Sequence, residues 1–295
     1  MGQIMKPGAG VPRDTSFWPV DKLVLAYFAF MAGLMLWWWG SVPDAGLLLL
    51  WHVAGSLLLI YQIKRPNPTT WLFRNWYPVL YVASCYKEMA DFLPLARHVV
   101  YDQQLADLDQ RIWGGQPAVW LTQFQTPVFT EFLQWVYTFF VPAVLLVAGL
   151  LWFRRQYADF QYYAFLIALG YLVSYLGYVL YPARGPRFLL KDLELMPLHG
   201  LWLFQGMQST LDKLESVAYD AFPSGHTELT ILAWWSSRAL SKRWFGAYFG
   251  YTLTIIFATV YLRYHYTVDV FAGAIVAVVL IAATPFLYRR LQQGV

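Results

Sequence analysis

About eight apolar runs of roughly 17–26 residues, separated by shorter polar stretches, dominate the chain. Wound as helices, runs of that length cross the hydrocarbon of a bilayer. Composition supports that reading. Of 295 residues, 59% are hydrophobic and 13% charged, against about 25% charged in an average soluble domain. The 15 Trp and 21 Tyr also suit a membrane protein, because both collect at the lipid–water interface. The expected fold class is all-α: a polytopic membrane helix bundle with one interfacial amphipathic segment.

The runs fall near 22–39, 45–63, 76–95, 128–153, 160–181, 224–240, 244–262 and 268–287, after a polar arm over 1–21. The first run exceeds the ~7–15-residue core of a signal peptide, and no small-residue cleavage site clearly follows it, so it reads as a retained helix. Trp37, Trp38 and Trp39 end it as an interface anchor. Over 97–127, Leu105, Leu108, Ile112 and Trp113 recur at near-helical spacing, which predicts an amphipathic surface segment broken at Gly114-Gly115. The expected division is a three-helix N-terminal extension over 1–96 and a catalytic membrane domain over 97–295.

Charge predicts an orientation. With a cytoplasmic N-terminus and eight alternating helices, 13 of the 21 Lys and Arg fall on the cytoplasmic side, among them Lys64, Arg65, Arg154, Arg155, Arg289 and Arg290. Every cytoplasmic segment is then basic, as the positive-inside rule requires. The formal charge of +4 is therefore topological and does not point to nucleic acid. Three polar loops, 184–187, 222–227 and 263–269, emerge together on the opposite face. The expected location is a bacterial inner membrane, with both termini cytoplasmic and those loops periplasmic.

Several isolated residues have plain structural readings. Cys85 lies in an apolar run and reads as a packed thiol; a single cysteine excludes an internal disulfide. His52 reads as a packing histidine. Lys87 and Asp91 are spaced to pair. Asp107 and Asp109 resemble paired catalytic carboxylates but read more simply as an exposed polar face.

The three loops carry the chemistry. His265 and Asp269 are four residues apart at a helix start, so they can share a face. A carboxylate beside an imidazole fixes its tautomer and leaves the other ring nitrogen as a nucleophile toward phosphorus. In Phe222-Pro223-Ser224-Gly225-His226-Thr227, Ser224 is a natural N-cap and Gly225 permits close approach of a phosphate to free N–H groups. His226 beside it can protonate a leaving oxygen. Arg184 and Arg187, in a loop stiffened by Pro182 and Pro186, are candidate phosphate clamps. Arg263 reads as a third clamp or as a solvent-facing residue. Glu228 is either a carboxylate placed favourably at a helix N-terminus or a group recognising a hydroxyl-bearing headgroup or acceptor. No Cys/His metal set competes, and no metal or other cofactor is expected.

These motifs resemble the type 2 phosphatidic acid phosphatase superfamily over roughly 100–295. Pro223-Ser224-Gly225-His226 is similar to its second motif, and His265 with Asp269 to its third. The resemblance implies His265 as nucleophile, Asp269 as its orienting partner and His226 as general acid, with Ser224, Gly225 and an arginine holding phosphate. The usual Lys seven positions before an Arg-Pro pair is absent: Leu180 and Gly177 stand at the corresponding places. Thr259 stands where the third motif usually has Arg. These departures, with Pro186-Arg187, Tyr261-Leu262 and the stretch from Leu108 to Gly114, resemble the branch containing inositol phosphorylceramide synthases. The clamp role is carried to Arg187 first, then to Arg184 and Arg263.

The function implied is a lipid phosphatase or phosphotransferase working through a phosphohistidine, with a phospholipid or other lipid phosphate as partner and the bilayer as its medium. The alternative is an inactive transporter or scaffold of the same fold. A vanadium-dependent haloperoxidase has a similar site, but its relatives are soluble, which the lipid-length helices oppose. Oligomeric state is unreadable from the chain.

Overall fold

The computed structural model describes residues 15–42, 44–96, 100–189, 197–214 and 219–293. Among them all regular structure is helical. The order is α1 (Pro19–Trp37), α2 (Ala45–Lys64), α3 (Pro68–Ala96), α4 (Asp102–Trp113), α5 (Pro117–Trp120), α6 (Pro127–Thr138), α7 (Phe140–Phe153), α8 (Tyr157–Leu180), α9 (Pro186–Leu189), α10 (Phe204–Leu214), α11 (Gly225–Ser237), α12 (Lys242–Tyr261) and α13 (Thr267–Gln293). Among the described residues, α1, α2, α8 and α13 are each long and apolar enough to cross a membrane. α6 and α7 together make a fifth candidate, bent by 48°. The chain is thus an all-α membrane bundle. The expected straight helix over 128–153 is instead this bent pair, and the third expected helix starts earlier, at Pro68.

Apolar residues organise the bundle in two main clusters. Phe28, Met31, Met35 and Ile63 of α1 and α2 pack with Cys85 and Met89 of α3 and with Phe165 and Tyr175 of α8. Leu151, Leu166, Leu232, Ile255 and Ala277 tie α7, α8, α11, α12 and α13 together. Helix α8 touches both clusters and so joins the N-terminal helices to the rest. α11 is sheathed by α7, α8, α12 and α13, which buries most of its length. Leu47, Leu50, Leu57, Leu58, Ile275 and Val279 remain exposed, the pattern of helix faces turned to lipid rather than to a core.

Two buried polar pairs brace the N-terminal helices. Arg74 Nη2 lies 2.6 Å from Asp21 Oδ2, and Tyr77 donates to the other carboxylate oxygen at 2.9 Å. His52 Nε2 lies 3.2 Å from Glu88 Oε2, with both residues buried. His52 is thus a packed histidine, as expected, with the Glu88 carboxyl beside it. Cys85 is buried and free. The expected pairing of Lys87 with Asp91 lies outside the described side chains.

The interfacial segment folds as α4 and then the short turns of α5. Gly114, in the left-handed region at φ 73°, ends α4, at the expected break. The orientation of α4 differs from expectation. Leu105 and Ala106 face inward with Asp102 and Asp109, whereas Leu108, Ile112 and Trp113 are exposed. Asp109 is 2% exposed, so the exposed-face reading holds for Asp107 alone. The 182–222 stretch contains α9 and α10. Glu131 of α6 anchors its second half, accepting from the backbone N–H groups of Leu201 at 2.9 Å, Leu203 at 2.9 Å and Phe204 at 3.1 Å.

Candidate active site

Backbone hydrogen bonds stitch the three motif loops into one unit. Ser224 N–H donates to the Asp269 carbonyl at 3.0 Å, Arg187 N–H to the Arg263 carbonyl at 3.0 Å, and Ala221 N–H to the Ala183 carbonyl at 3.0 Å. Close approach of α11 and α13 requires Gly273, where a Cβ would lie 2.4 Å from the Ser224 carbonyl oxygen. Gly185, at φ 92°, lets the arginine loop pass Tyr264; a Cβ there would meet the Tyr264 carbonyl oxygen at 2.3 Å. The Phe222–Pro223 peptide is cis.

Helix α4 secures two of these loops with its carboxylates. Asp102 accepts from the Arg184 N–H at 2.9 Å, the Gly185 N–H at 2.8 Å and the Tyr266 hydroxyl at 3.2 Å. Asp109 accepts from the Thr267 N–H at 2.9 Å, the Thr267 hydroxyl at 2.6 Å and the Val268 N–H at 3.1 Å. Those groups open α13, so Asp109 satisfies its first free donors from another element. Asp269, at the third position of α13, accepts from the Tyr266 N–H at 2.8 Å, half of a capping box.

His265 is buried between these supports. Its Nδ1 lies 2.8 Å from the Ala221 carbonyl oxygen and 3.5 Å from Asp269 Oδ2. A carbonyl oxygen only accepts, so Nδ1 carries the hydrogen and Nε2 holds the lone pair. Nε2 points at His226 Nδ1, 3.4 Å away. The expected Asp269 partnership is therefore present at longer range, and the nearer group that sets the tautomer is a backbone carbonyl. Asp269 Oδ1 is buried with no hydrogen-bond partner. His226 stacks on Tyr137, ring centroids 4.4 Å apart and 26° between planes, and Tyr137 in turn stacks on Tyr264 at 4.1 Å.

The imidazoles open into a small polar cavity of about 30 Å³, room for roughly two water-sized groups. Arg184, Arg187 and Asp220 line it with the two histidines; Tyr137, Tyr178, Ala221 and Tyr264 complete the wall. Arg187 lies over the Tyr264 ring, 4.8 Å from its centroid. Arg184 is more exposed and lies over Phe188 at 4.2 Å. Burial pushes the Asp220 carboxyl above its ordinary range, opposed by the Tyr86 hydroxyl and by the neighbouring His265 and Arg187.

Other expected site residues stand apart from the cavity lining. Arg263 is buried at the turn after α12, with φ 65°, and burial lowers its affinity for the proton. Ser224 is buried, and its hydroxyl caps α11 by accepting from the Thr227 N–H at 3.3 Å. Gly225 abuts Tyr178, whose hydroxyl a Cβ would meet at 2.5 Å. Glu228 turns toward α8, accepting from the Ser174 hydroxyl at 2.6 Å. Thr259, the departure from the third motif, lends its carbonyl to the Tyr264 and His265 N–H groups at 2.9 and 3.1 Å.

Compared with family models, residues 103–283 match that of the PAP2 superfamily. The chain belongs to the PAP2 superfamily. The match begins in α4, ends in α13 and contains every expected site residue. Neither the curated proteins nor the solved structures yield a match. Membership carries, at a coarse level, phosphatase or phosphotransferase activity on phosphate esters. Sequence reasoning on this PAP2 protein missed Asp102 and Asp220, and read Asp109 as part of an exposed face although it is buried. Asp220 stands two residues before Phe222, and its polarity just ahead of the hexapeptide was the available signal. Among the described residues no group of three or more His, Cys, Asp or Glu is arranged to hold a metal.

Proposed function

We propose that this PAP2 protein is a lipid phosphate phosphatase or phosphotransferase that works without metal through a phosphohistidine on His265. The observation that carries the reading is the approach of His265 Nε2 to His226 Nδ1 at 3.4 Å, inside a cavity lined by Arg187 and Arg184. His265 Nε2 attacks phosphorus as the bond to the lipid oxygen breaks, and His226 gives that oxygen its proton. His226 then takes a proton from water or an alcohol, which attacks phosphorus and releases His265. The Ala221 carbonyl and Asp269 orient the imidazole and stabilise its positive charge. Arg187, with Arg184 beside it, gathers the negative charge of the transferring group. The supporting role of Ser224 and Gly225 is to hold the His226 turn.

The same reading divides the chain into a 1–96 extension and a 97–295 catalytic domain, and counts α3, α11 and α12 as spans to reach eight. The motif loops then face the periplasm of a bacterial inner membrane. The departures at Leu180, Gly177 and Thr259 are what support assigning the chain to the inositol phosphorylceramide synthase-like branch.

The test is purified wild type and His265→Ala offered phosphatidate, polyprenyl phosphate and phosphatidylinositol in chelator. Wild type should release phosphate or transfer a headgroup from at least one, and the variant should not. Equal turnover by both would sink the nucleophile. A folded wild type inert on all three would favour the scaffold reading.

A further inference from the structure

Among the described residues lining the cavity, Asp220 is the only carboxylate. Its surroundings are cationic or hydrogen-bond donating: Arg184, Arg187, His226 and His265. A carboxylate only accepts hydrogen bonds, and phosphate oxygens also accept. Asp220 therefore sets an acceptor beside the phosphoryl group, where a hydroxyl of the substrate can donate to it. One of its oxygens already has a donor, because Oδ2 accepts from the Tyr86 hydroxyl at 2.7 Å. Tyr86 belongs to α3, outside the 103–283 family match. α3 packs along α8, and Tyr175 of α8 donates to the Val82 carbonyl at 2.9 Å, which fixes α3 beside the cavity. The N-terminal helices thus reach the site through Tyr86, which holds one oxygen of the Asp220 carboxylate.

We infer that Asp220, positioned by Tyr86, is a hydroxyl-recognition residue that binds the alcohol partner of the transferred phosphoryl group. The inference rests on the phosphoryl-transfer reading above and specifies its acceptor class, a polyol such as glycerol. In the second step the acceptor oxygen bonds to phosphorus as the bond from His265 Nε2 breaks, and the acceptor's proton passes to His226. A neighbouring hydroxyl of the same polyol donates to Asp220. Water has no second hydroxyl to place there, so Asp220 favours alcohol capture over hydrolysis.

The experiment uses the full chain in phosphatidylcholine vesicles with labelled phosphatidate and 1 M glycerol as probes, and reads the ratio of glycerol phosphate to inorganic phosphate. Asp220→Asn keeps the shape and can still accept from Tyr86, but turns an amide donor into the cavity. It should lower the ratio about tenfold, as expected for loss of one hydrogen bond to a charged group. Tyr86→Phe, which removes the positioning group only, should lower the ratio less, in the same direction. An unchanged ratio in Asp220→Asn overturns the inference, as does a wild type that forms inorganic phosphate and no glycerol phosphate; both leave the phosphatase reading standing. A wild type that forms neither product overturns both.

Discussion

Asp109 and Thr267 make the contact on which the geometry of His265 depends. The carboxylate of a surface helix takes both the N–H and the hydroxyl of Thr267, at 2.9 and 2.6 Å. Thr267 opens α13 two residues past His265. Loss of a capping side chain costs about 0.5–2 kcal/mol. Asp109→Ala should therefore lower thermal stability by roughly that amount and depress kcat more than KM, because the attacking imidazole loses its support. An intact kcat in a measurably destabilised Asp109→Ala would separate the cap from the site.

Asp269 and the Ala221 carbonyl share His265 Nδ1 unequally, at 3.5 and 2.8 Å. Asp269→Asn keeps the shape and the shorter bond and removes the charge that stabilises imidazolium. A hydrogen bond to a charged group is worth about 1.5–3 kcal/mol, so kcat should fall roughly tenfold to 150-fold. His265→Ala should abolish turnover. Indistinguishable losses in the two variants, measured in single-turnover assays, would mean that the backbone carbonyl does not orient the ring.

Gly185→Ala should be among the most damaging small changes in the chain. It places a Cβ 2.3 Å from the Tyr264 carbonyl oxygen at a φ of 92°, and a left-handed conformation costs a non-glycine residue about 1–2 kcal/mol. The loop must shift, carrying Arg184 and Arg187 with it. A raised KM for lipid phosphate and weaker inhibition by orthovanadate are expected; wild-type values for both would show that the arginines do not contact the phosphoryl group.

The raised Asp220 carboxyl gives a pH signature with two opposite slopes. Its neighbours are Tyr86 of α3, Tyr175 and Tyr178 of α8, Arg187 of α9, Arg184, His226 and His265. An unfolded Asp titrates near about 3.9. The folded protein holds this proton more tightly, so its contribution to stability is greatest below that pH and is lost as pH climbs through the folded pKa. Only the ionised form accepts a hydroxyl with both oxygens, so glycerol capture should rise over the same interval. Asp220→Asn should flatten both slopes. Scanning thermal denaturation and product ratios between pH 4 and 8 would expose either slope persisting in the variant.

Chelation supplies a further check on the mechanism. Dialysis against excess chelator should leave phosphate release within twofold of the untreated protein. Loss of activity restored by a divalent cation would require a different chemistry at His265.

The motif residues were legible because each functional group lies within a few positions of a loop-to-helix boundary. Ser224, His226, His265 and Asp269 declare themselves by their neighbours. Their supports were hidden because their partners are distant in sequence: Asp109 meets Thr267, Asp102 meets Gly185, and Tyr86 meets Asp220. Periodicity could not orient α4, since its exposed Leu108, Ile112 and Trp113 are as apolar as an inward face would be. The bend between α6 and α7 did carry a signal, Pro142 three residues past Phe139, which removes an N–H from the helix ladder. Ser224 and Glu228 show the converse limit: residue type and position were right for substrate contact, yet their side chains satisfy α11 and α8 instead.

Asp102 and Asp109 sit on the same 12-residue helix, one gripping the arginine loop and the other the start of α13. The two loops therefore cannot loosen independently. Fraying of α4 alone, a sub-global opening well below the free energy of unfolding the bundle, would release both grips in one event. Inactivation on warming or in harsh detergent should then be all-or-none with respect to the site, and complete while the spans remain packed. The integrity of the site would then rest on a peripheral helix that lies outside the cavity lining.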